Sequence, residues 1–178
     1  MNHNPDDLIA IFNGCFADTL NTRLVRGDDE PIYLPANDQV PYHGIYFAHG
    51  FYASGLHEIA HWLIAGPERR LLEDFGYWYV PDGRTQAQQR LFEQVEIKPQ
   101  ATEWILAQAA GFRFRVSVDN LEGDPGDTEQ FKDNVYAQVL TYCQEGLPER
   151  TQVLRDALSR FYGVGRELTP DSFDRSAI

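Results

Sequence analysis

Apolar residues recur every three or four positions in three parts of the chain. Residues 5–20 carry such a stripe, and Asn4 and Pro5 precede it as an N-cap and a first-turn proline. The same spacing recurs over residues 128–145 and 149–162. We therefore predict an amphipathic helix in each of the three segments.

A fourth segment, residues 54–67, combines apolar residues with the pattern His57-Glu58-Ile59-Ala60-His61. Ser54 is a suitable N-cap, Gly66 suits the left-handed position that often follows a last helical turn, and Pro67 prevents continuation. These signals predict a helix. Its remaining residues are largely apolar, which indicates that the helix belongs to the core.

Histidines four residues apart on a helix lie one above the other on the same face. His57 and His61 can therefore bind a single metal ion through two imidazole groups. Glu58 projects beside the pair, where a carboxylate can orient or deprotonate a metal-bound water. Two bare histidines in a core are costly without partners, which favours a metal site over a hydrogen-bonded structural pair.

Two histidines leave a metal site incomplete, so a third ligand is expected elsewhere in the chain. Glu96, Gln100 and Glu103 share one face of a second helix, which we predict to contain Pro99 near its start. Glu96 is our predicted third ligand. Glu93 and Glu103 are alternatives, and a solvated acidic face is the competing interpretation.

Short extended segments precede the HExxH helix and follow the second helix. Residues 32–34 and 45–48 read as strands between turn-forming prolines, and residues 112–118 alternate as a third strand would. His49 follows the second of these segments. It can contact a substrate or support a ligand, or it can make a structural hydrogen bond, and as a ligand it ranks below Glu96.

These elements predict the α+β class. We expect a mainly helical single domain over residues 1–178, with a small β-sheet beside the HExxH metal-binding helix. The aromatic residues 77–79 favour β structure. A helix is predicted to begin after Thr85. The chain beyond residue 171 is expected to fray.

Composition and charge narrow the functional classes. The chain has 178 residues, 43% of them hydrophobic, and a net charge of −12, which disfavours a direct nucleic-acid partner. No apolar run approaches the ~20 residues of a membrane span, and the first residues do not resemble a signal peptide. Cys15 and Cys143 fall on apolar helix faces, which is typical of reduced core cysteines in a cytoplasmic protein. An acidic surface suits a cationic substrate group.

Five stretches of the sequence together resemble the bacterial elongation factor P hydroxylases, and the resemblance extends from Ile9 to about Tyr162. These stretches are FNGCF at 12–16, GDDEPIYLP at 27–35, FAHGFYA at 47–53, DFGYWY at 74–79 and VEIKPQA at 95–101. The resemblance implies a cytoplasmic enzyme that hydroxylates the β-lysylated lysine of elongation factor P.

This activity implies a redox metal, normally non-haem Fe(II), with O2 as cosubstrate. His57, His61 and Glu96 match the two-histidine, one-carboxylate set that leaves positions open for oxygen and substrate. Glu58 would then hold a ligand or a water in place. The sequence offers neither a β-barrel nor an arginine-anchored 2-oxoacid site, and it assigns no electron donor.

Two other classes of function fit the motif. In a zinc metallopeptidase, the same three ligands would bind zinc and Glu58 would be the general base. That class predicts that Glu58→Gln abolishes turnover while zinc stays bound. A metal-stabilised interaction module predicts that metal removal unfolds the protein and that Glu58→Gln leaves its function unchanged.

Overall fold

A computed structural model of the protein describes residues 1–74, 85–117 and 128–178, which contain five α-helices and one three-stranded sheet. The helices are α1 (Pro5–Leu20), α2 (Tyr52–Ile64), α3 (Gln86–Ala110), α4 (Thr128–Glu145) and α5 (Glu149–Tyr162). The strands are β1 (Thr22–Arg26), β2 (Ile32–Leu34) and β3 (His43–Phe47). The predicted mainly helical α+β class is confirmed. The aromatic run 77–79 and the side chains of Gln89 and Glu93 lie outside the described residues.

The sheet has the order β1-β3-β2, with β1 parallel and β2 antiparallel to β3. Strands β2 and β3 were predicted, whereas β1 was not. Its signal is a short alternation in which Leu24 is buried and Arg23 is exposed. The strand follows α1 directly, because Asn21 adopts a left-handed conformation (φ 49°) that ends the helix and turns the chain.

The buried apolar side chains form one hydrophobic cluster that includes residues of β1, β3 and all five helices. Helix α2 packs against α3 and β3, and α3 also packs against α4 and α5. The HExxH helix therefore lies beside both the sheet and the longest helix. Within the described ranges, no helix is long and apolar enough to span a bilayer, and Cys15 and Cys143 are free thiols.

Phe12 joins α1 to α2, since its fully buried ring lies 5.4 Å from the Trp62 ring. We expect Phe12→Ala to lower the free energy of unfolding by about 3–5 kcal/mol, because the truncation leaves a cavity. Phe161→Ala is the matched control, with a side chain that is 54% exposed and an expected change of about 0.5 kcal/mol. Chemical denaturation measures both values. Equal losses in the two variants would contradict this account of the core.

The predicted start of α2 was wrong, whereas its predicted end before Gly66 was right in position and wrong in the conformation of the residues that end it. The helix begins at Tyr52, with Phe51 at the N-cap and no side-chain capping bond, so Ser54 lies inside it. It ends where Ala65 turns to an extended conformation (ψ 134°), and Gly66 is not among the glycines with positive φ. Pro67 explains the second error, because a residue before proline is driven toward extended conformations.

Helix α3 runs without interruption from Gln86 to Ala110, with Pro99 in its interior and not near its start. Thr85 caps it as predicted, in a reciprocal capping box with Gln88. An interior proline costs about 3 kcal/mol or more in helix stability. Burial offsets this cost, because Pro99 and most of the turns that follow are buried in the core.

Two further predictions were also wrong: the strand that was expected to begin at residue 112, and the fraying of the chain beyond residue 171. Residues 112–117 form no strand within the described chain, and both backbone polar groups of Ser117 bond to the Gln100 side chain. The end of the chain does not fray. Phe173 is buried, and Arg175 donates hydrogen bonds to Asp133 and Glu129 on α4.

Candidate metal centre

Helix α2 presents His57 and His61 on one face, one turn apart. The ring centroids are 4.7 Å apart, and the two Nε2 atoms approach to 3.2 Å. The opposite side of the helix is anchored in the core by Ile59, which is fully buried. Both rings therefore direct the same nitrogen, Nε2, toward the same point.

The packing of α3 against α2 brings Glu96 to that point. Its Oε1 lies 3.0 Å from His61 Nε2, and the residue is only 1% exposed. One donor atom from each of His57, His61 and Glu96 lies within 4.8 Å of the others. Ligand atoms ~2.1 Å from a metal and at right angles to each other are about 3.0 Å apart. The donor set and its spacing therefore fit a single ion, while the assignment of these residues as ligands stays a prediction.

The electrostatics of the cluster favour a positive charge where the donors meet. Burial alone would lower the pKa of His57, but the Glu103 carboxylate, with Glu58 and Glu96, outweighs it and raises this pKa to about 10. Burial alone would raise the pKa of Glu96, but the hydrogen bond and charge of His61 lower it to about 2. Without a metal, a proton on His57 supplies part of that positive charge.

Two further side chains of α3 contact the predicted ligands. Glu103 Oε2 lies 2.8 Å from Nδ1 of His57, on the side of the ring away from the converging Nε2 atoms. Gln100 is fully buried, and its Nε2 donates to Glu96 Oε2 over 3.3 Å. Glu103, considered above as an alternative ligand, is therefore not one of the three converging donors. The side chain of Glu93 lies outside the described residues.

A small, partly open cavity adjoins His61. Its wall includes Glu58 from α2, and burial raises the pKa of this carboxyl group, although His57 and His61 oppose the shift. The cavity is lined by Tyr33, Ile45, Glu58, His61, Trp62, Ala65, Arg69, Arg70 and Asp74. The predicted catalytic residue thus faces a space that opens beside the candidate metal centre.

His49 is not part of the donor cluster formed by the described residues. It precedes α2 in a left-handed conformation (φ 56°), and its half-exposed ring lies 3.5 Å from the carboxylate of Asp29. Proximity in sequence did not bring it to the site, because the first turn and a half of α2 lie between it and His57.

Sequence reasoning missed several residues around the cavity. Asp74 forms an ion pair with Arg69 and backbone hydrogen bonds with Tyr33 on β2. The Tyr33 hydroxyl donates to the carbonyl of Arg70 over 2.7 Å. No local pattern marks these contacts, since they join the sheet to the segment after α2. The sole available signal was the clustering of charged residues after Pro67.

The fold and the site together define a mainly helical protein with a two-histidine, one-carboxylate cluster beside a cavity. The profile of the family described as "Elongation factor P hydroxylase" matches residues 11–173. A protein of Haemophilus influenzae named "Elongation factor P lysine hydroxylase" is 62% identical over 178 residues, covering all of both chains. The chain is thus an enzyme of the hydroxylase class. It belongs to the elongation factor P hydroxylase family.

Proposed function

We propose that this chain is a single-domain, metal-dependent hydroxylase that acts on the β-lysylated lysine of elongation factor P in the cytoplasm. Family membership supports the reaction class, and the name of the H. influenzae relative supports the substrate. The convergence of His57, His61 and Glu96 on one point is the observation that carries the metal dependence. The cluster lies on two packed helices, which hold its donors in fixed positions.

The reaction replaces a C–H bond of the substrate by a C–OH group. One oxygen atom of O2 enters the product, and the other leaves as water after taking up two protons and two electrons from an external reductant. A redox-active metal, which we propose to be Fe(II), supplies the activation of O2 that an unreactive C–H bond requires. Three protein ligands are enough to hold such an ion and leave positions open.

The cavity beside His61 is the proposed entry for the substrate side chain. Asp74 is already ion-paired with Arg69, whereas Glu58 lines the cavity together with His61 and interacts electrostatically with both histidines. A partly desolvated carboxylate is stabilised by a cation. We therefore assign Glu58 the task of orienting the substrate amine at the centre.

The metal dependence can be tested by stripping the protein with a chelator and reloading it anaerobically with Fe(II) or Zn(II). We expect Fe(II) to restore hydroxylation of β-lysylated elongation factor P, and Zn(II) to bind without restoring it, because zinc has no redox chemistry. Intact-mass spectrometry of the factor gives the readout. Full activity in the metal-free protein would contradict the proposal.

Glu58→Gln separates the alternative functions in the same assay. For the hydroxylase, we expect the variant to retain its metal and to turn over about 10- to 100-fold more slowly, as for loss of an orienting contact. A zinc peptidase would instead cleave a protein substrate in its zinc form and lose all turnover in this variant. An interaction module would unfold on metal removal and be unaffected by the substitution. Glu145→Gln, at an exposed position on α4, is the matched control.

A further inference from the structure

We propose that Glu103 and Gln100 are positioning residues that determine which atom of each ligand faces the metal. This inference rests on the function proposed above, and it assigns a task to two side chains that are not themselves ligands. Both lie on the same face of α3 as Glu96, at four and seven residues beyond it. A single helix would then supply one ligand and orient another on α2.

Glu103 acts on the imidazole of His57. A neutral imidazole binds a metal through the nitrogen that carries no proton, so binding through Nε2 requires the proton to be on Nδ1. Glu103 Oε2 lies 2.8 Å from that Nδ1, so it accepts a hydrogen bond from Nδ1–H and selects this tautomer. The same bond fixes the rotation of the ring.

Burial favours the hydrogen bond between Glu103 and His57 over other positions of the two side chains. The Glu103 side chain is 12% exposed, and that of His57 is 27% exposed. A nearly buried carboxylate is costly without a partner, and Glu103 has such a partner in the His57 ring 2.8 Å away. The pair therefore has this geometry before any ion is bound.

Gln100 acts on the carboxylate of Glu96. Its Oε1 accepts a hydrogen bond from Ser117 N over 3.0 Å, and its Nε2 donates to Ser117 O over 2.7 Å. These two bonds fix which end of the amide is the donor, and that donor also reaches Glu96 Oε2 at 3.3 Å. One carboxylate oxygen is thereby occupied, while Oε1 faces His61.

The consequence is a ligand set with defined donor atoms. His57 is restricted to Nε2, and Glu96 is directed to bind through one oxygen instead of two. A carboxylate that binds through one oxygen occupies a single coordination position, so more positions stay open for oxygen and substrate. The segment at Ser117 is coupled to the centre through Gln100.

Metal affinity of three Glu103 variants tests the proposal. Glu103→Leu keeps the approximate volume and removes the hydrogen bond, and we expect its Co(II) or Fe(II) affinity, measured anaerobically, to fall by about 10- to 100-fold. Glu103→Ala should fall at least as far. Glu103→Gln retains an acceptor oxygen, and we expect it to bind closer to the wild type than Glu103→Leu does. The control Glu145→Leu should match the wild type.

A second readout reports the tautomer directly. In the zinc-loaded protein, long-range ¹H–¹⁵N spectra of the five histidines should show His57 bound through Nε2 with a slowly exchanging proton on Nδ1. We expect that proton to exchange faster in Glu103→Leu. For Gln100→Leu, we expect a changed visible spectrum of bound Co(II), which reports an altered coordination of Glu96.

The outcomes separate this inference from the proposed function. If the wild type binds no metal, the proposed function itself fails. If the wild type binds metal and Glu103→Leu binds it with equal affinity and an equally protected Nδ1 proton, the positioning role is wrong and Glu103 only joins two helices. Should Glu103→Leu fail to fold, Glu103→Gln decides alone. If Glu103→Gln has the metal affinity and the Nδ1 proton protection of the wild type, the result supports the proposal that an acceptor at this position orients His57. A His57 tautomer with the proton on Nε2 in that variant overturns the proposal.

Discussion

Replacing His61 by alanine is expected to abolish metal binding and hydroxylation while the helices persist. Its Nε2 lies at the centre of the cluster, 3.2 Å from His57 Nε2 and 3.0 Å from Glu96 Oε1. Without it, only one imidazole and one carboxylate converge. The loss of activity should be on the order of 10³-fold or more, beyond the ~10- to 100-fold typical of an outer-sphere contact. Metal content per chain and turnover on elongation factor P measure the two effects.

The matched control for this variant is His49→Asn. Asparagine tolerates the left-handed conformation of that residue (φ 56°), and the ring it removes is half-exposed and lies 3.5 Å from the Asp29 carboxylate. We expect full metal content and near-normal turnover. Loss of metal in His49→Asn, with retention in His61→Ala, would move the centre to the loop before α2. Circular dichroism of both variants verifies the fold.

Replacing Glu96 by glutamine is expected to have an effect of similar size. An amide preserves the shape and a hydrogen bond to His61 but lacks the charge that makes a carboxylate a good metal ligand. We therefore expect the metal to be lost, and turnover with it, from a protein that still folds. Glu96→Ala should lose the metal as well. Metal analysis after dialysis provides the measurement.

The control for Glu96 lies two turns further along the same helix. Glu103→Gln makes the same chemical change at a residue that contacts Nδ1 of His57 and not the converging donors. It should retain the metal with a far smaller loss of affinity. If Glu96→Gln kept full metal occupancy, the third ligand would have to be Glu93, Glu103 or His49.

The helices were predictable where local signals and burial agree. The apolar stripes of α1, α4 and α5 predicted the bounds of these helices, and the Asn4 cap and Pro5 marked the beginning of α1. Helix α3 begins further before Pro99 than predicted, because burial in the core offsets the cost of a proline inside the helix. Residues 112–117 alternate like a strand, yet Gln100 takes the backbone bonds of Ser117 that a neighbouring strand would have taken.

The site was predictable only as far as helical periodicity extends. Spacing along α2 placed His57 and His61 together, and spacing along α3 placed Glu96, Gln100 and Glu103 on one face. The packing of the two helices decides which of these three side chains points toward α2 and how deeply that side chain is buried. For that reason the sequence left Glu96 and Glu103 as alternatives, whereas the structure separates them by the imidazole nitrogen that each one meets.

The most direct test of the central claim uses β-lysylated elongation factor P, the Fe(II)-loaded protein, a reductant and isotopically labelled oxygen gas. Intact-mass spectrometry then follows the factor. The account predicts a gain of one labelled oxygen atom, with none in the reaction of the His61→Ala protein. An unchanged mass with the fully loaded enzyme, or cleavage of the factor, would contradict it. Oxygen incorporated from water alone would do so as well, because the hydroxyl group would then not derive from O2.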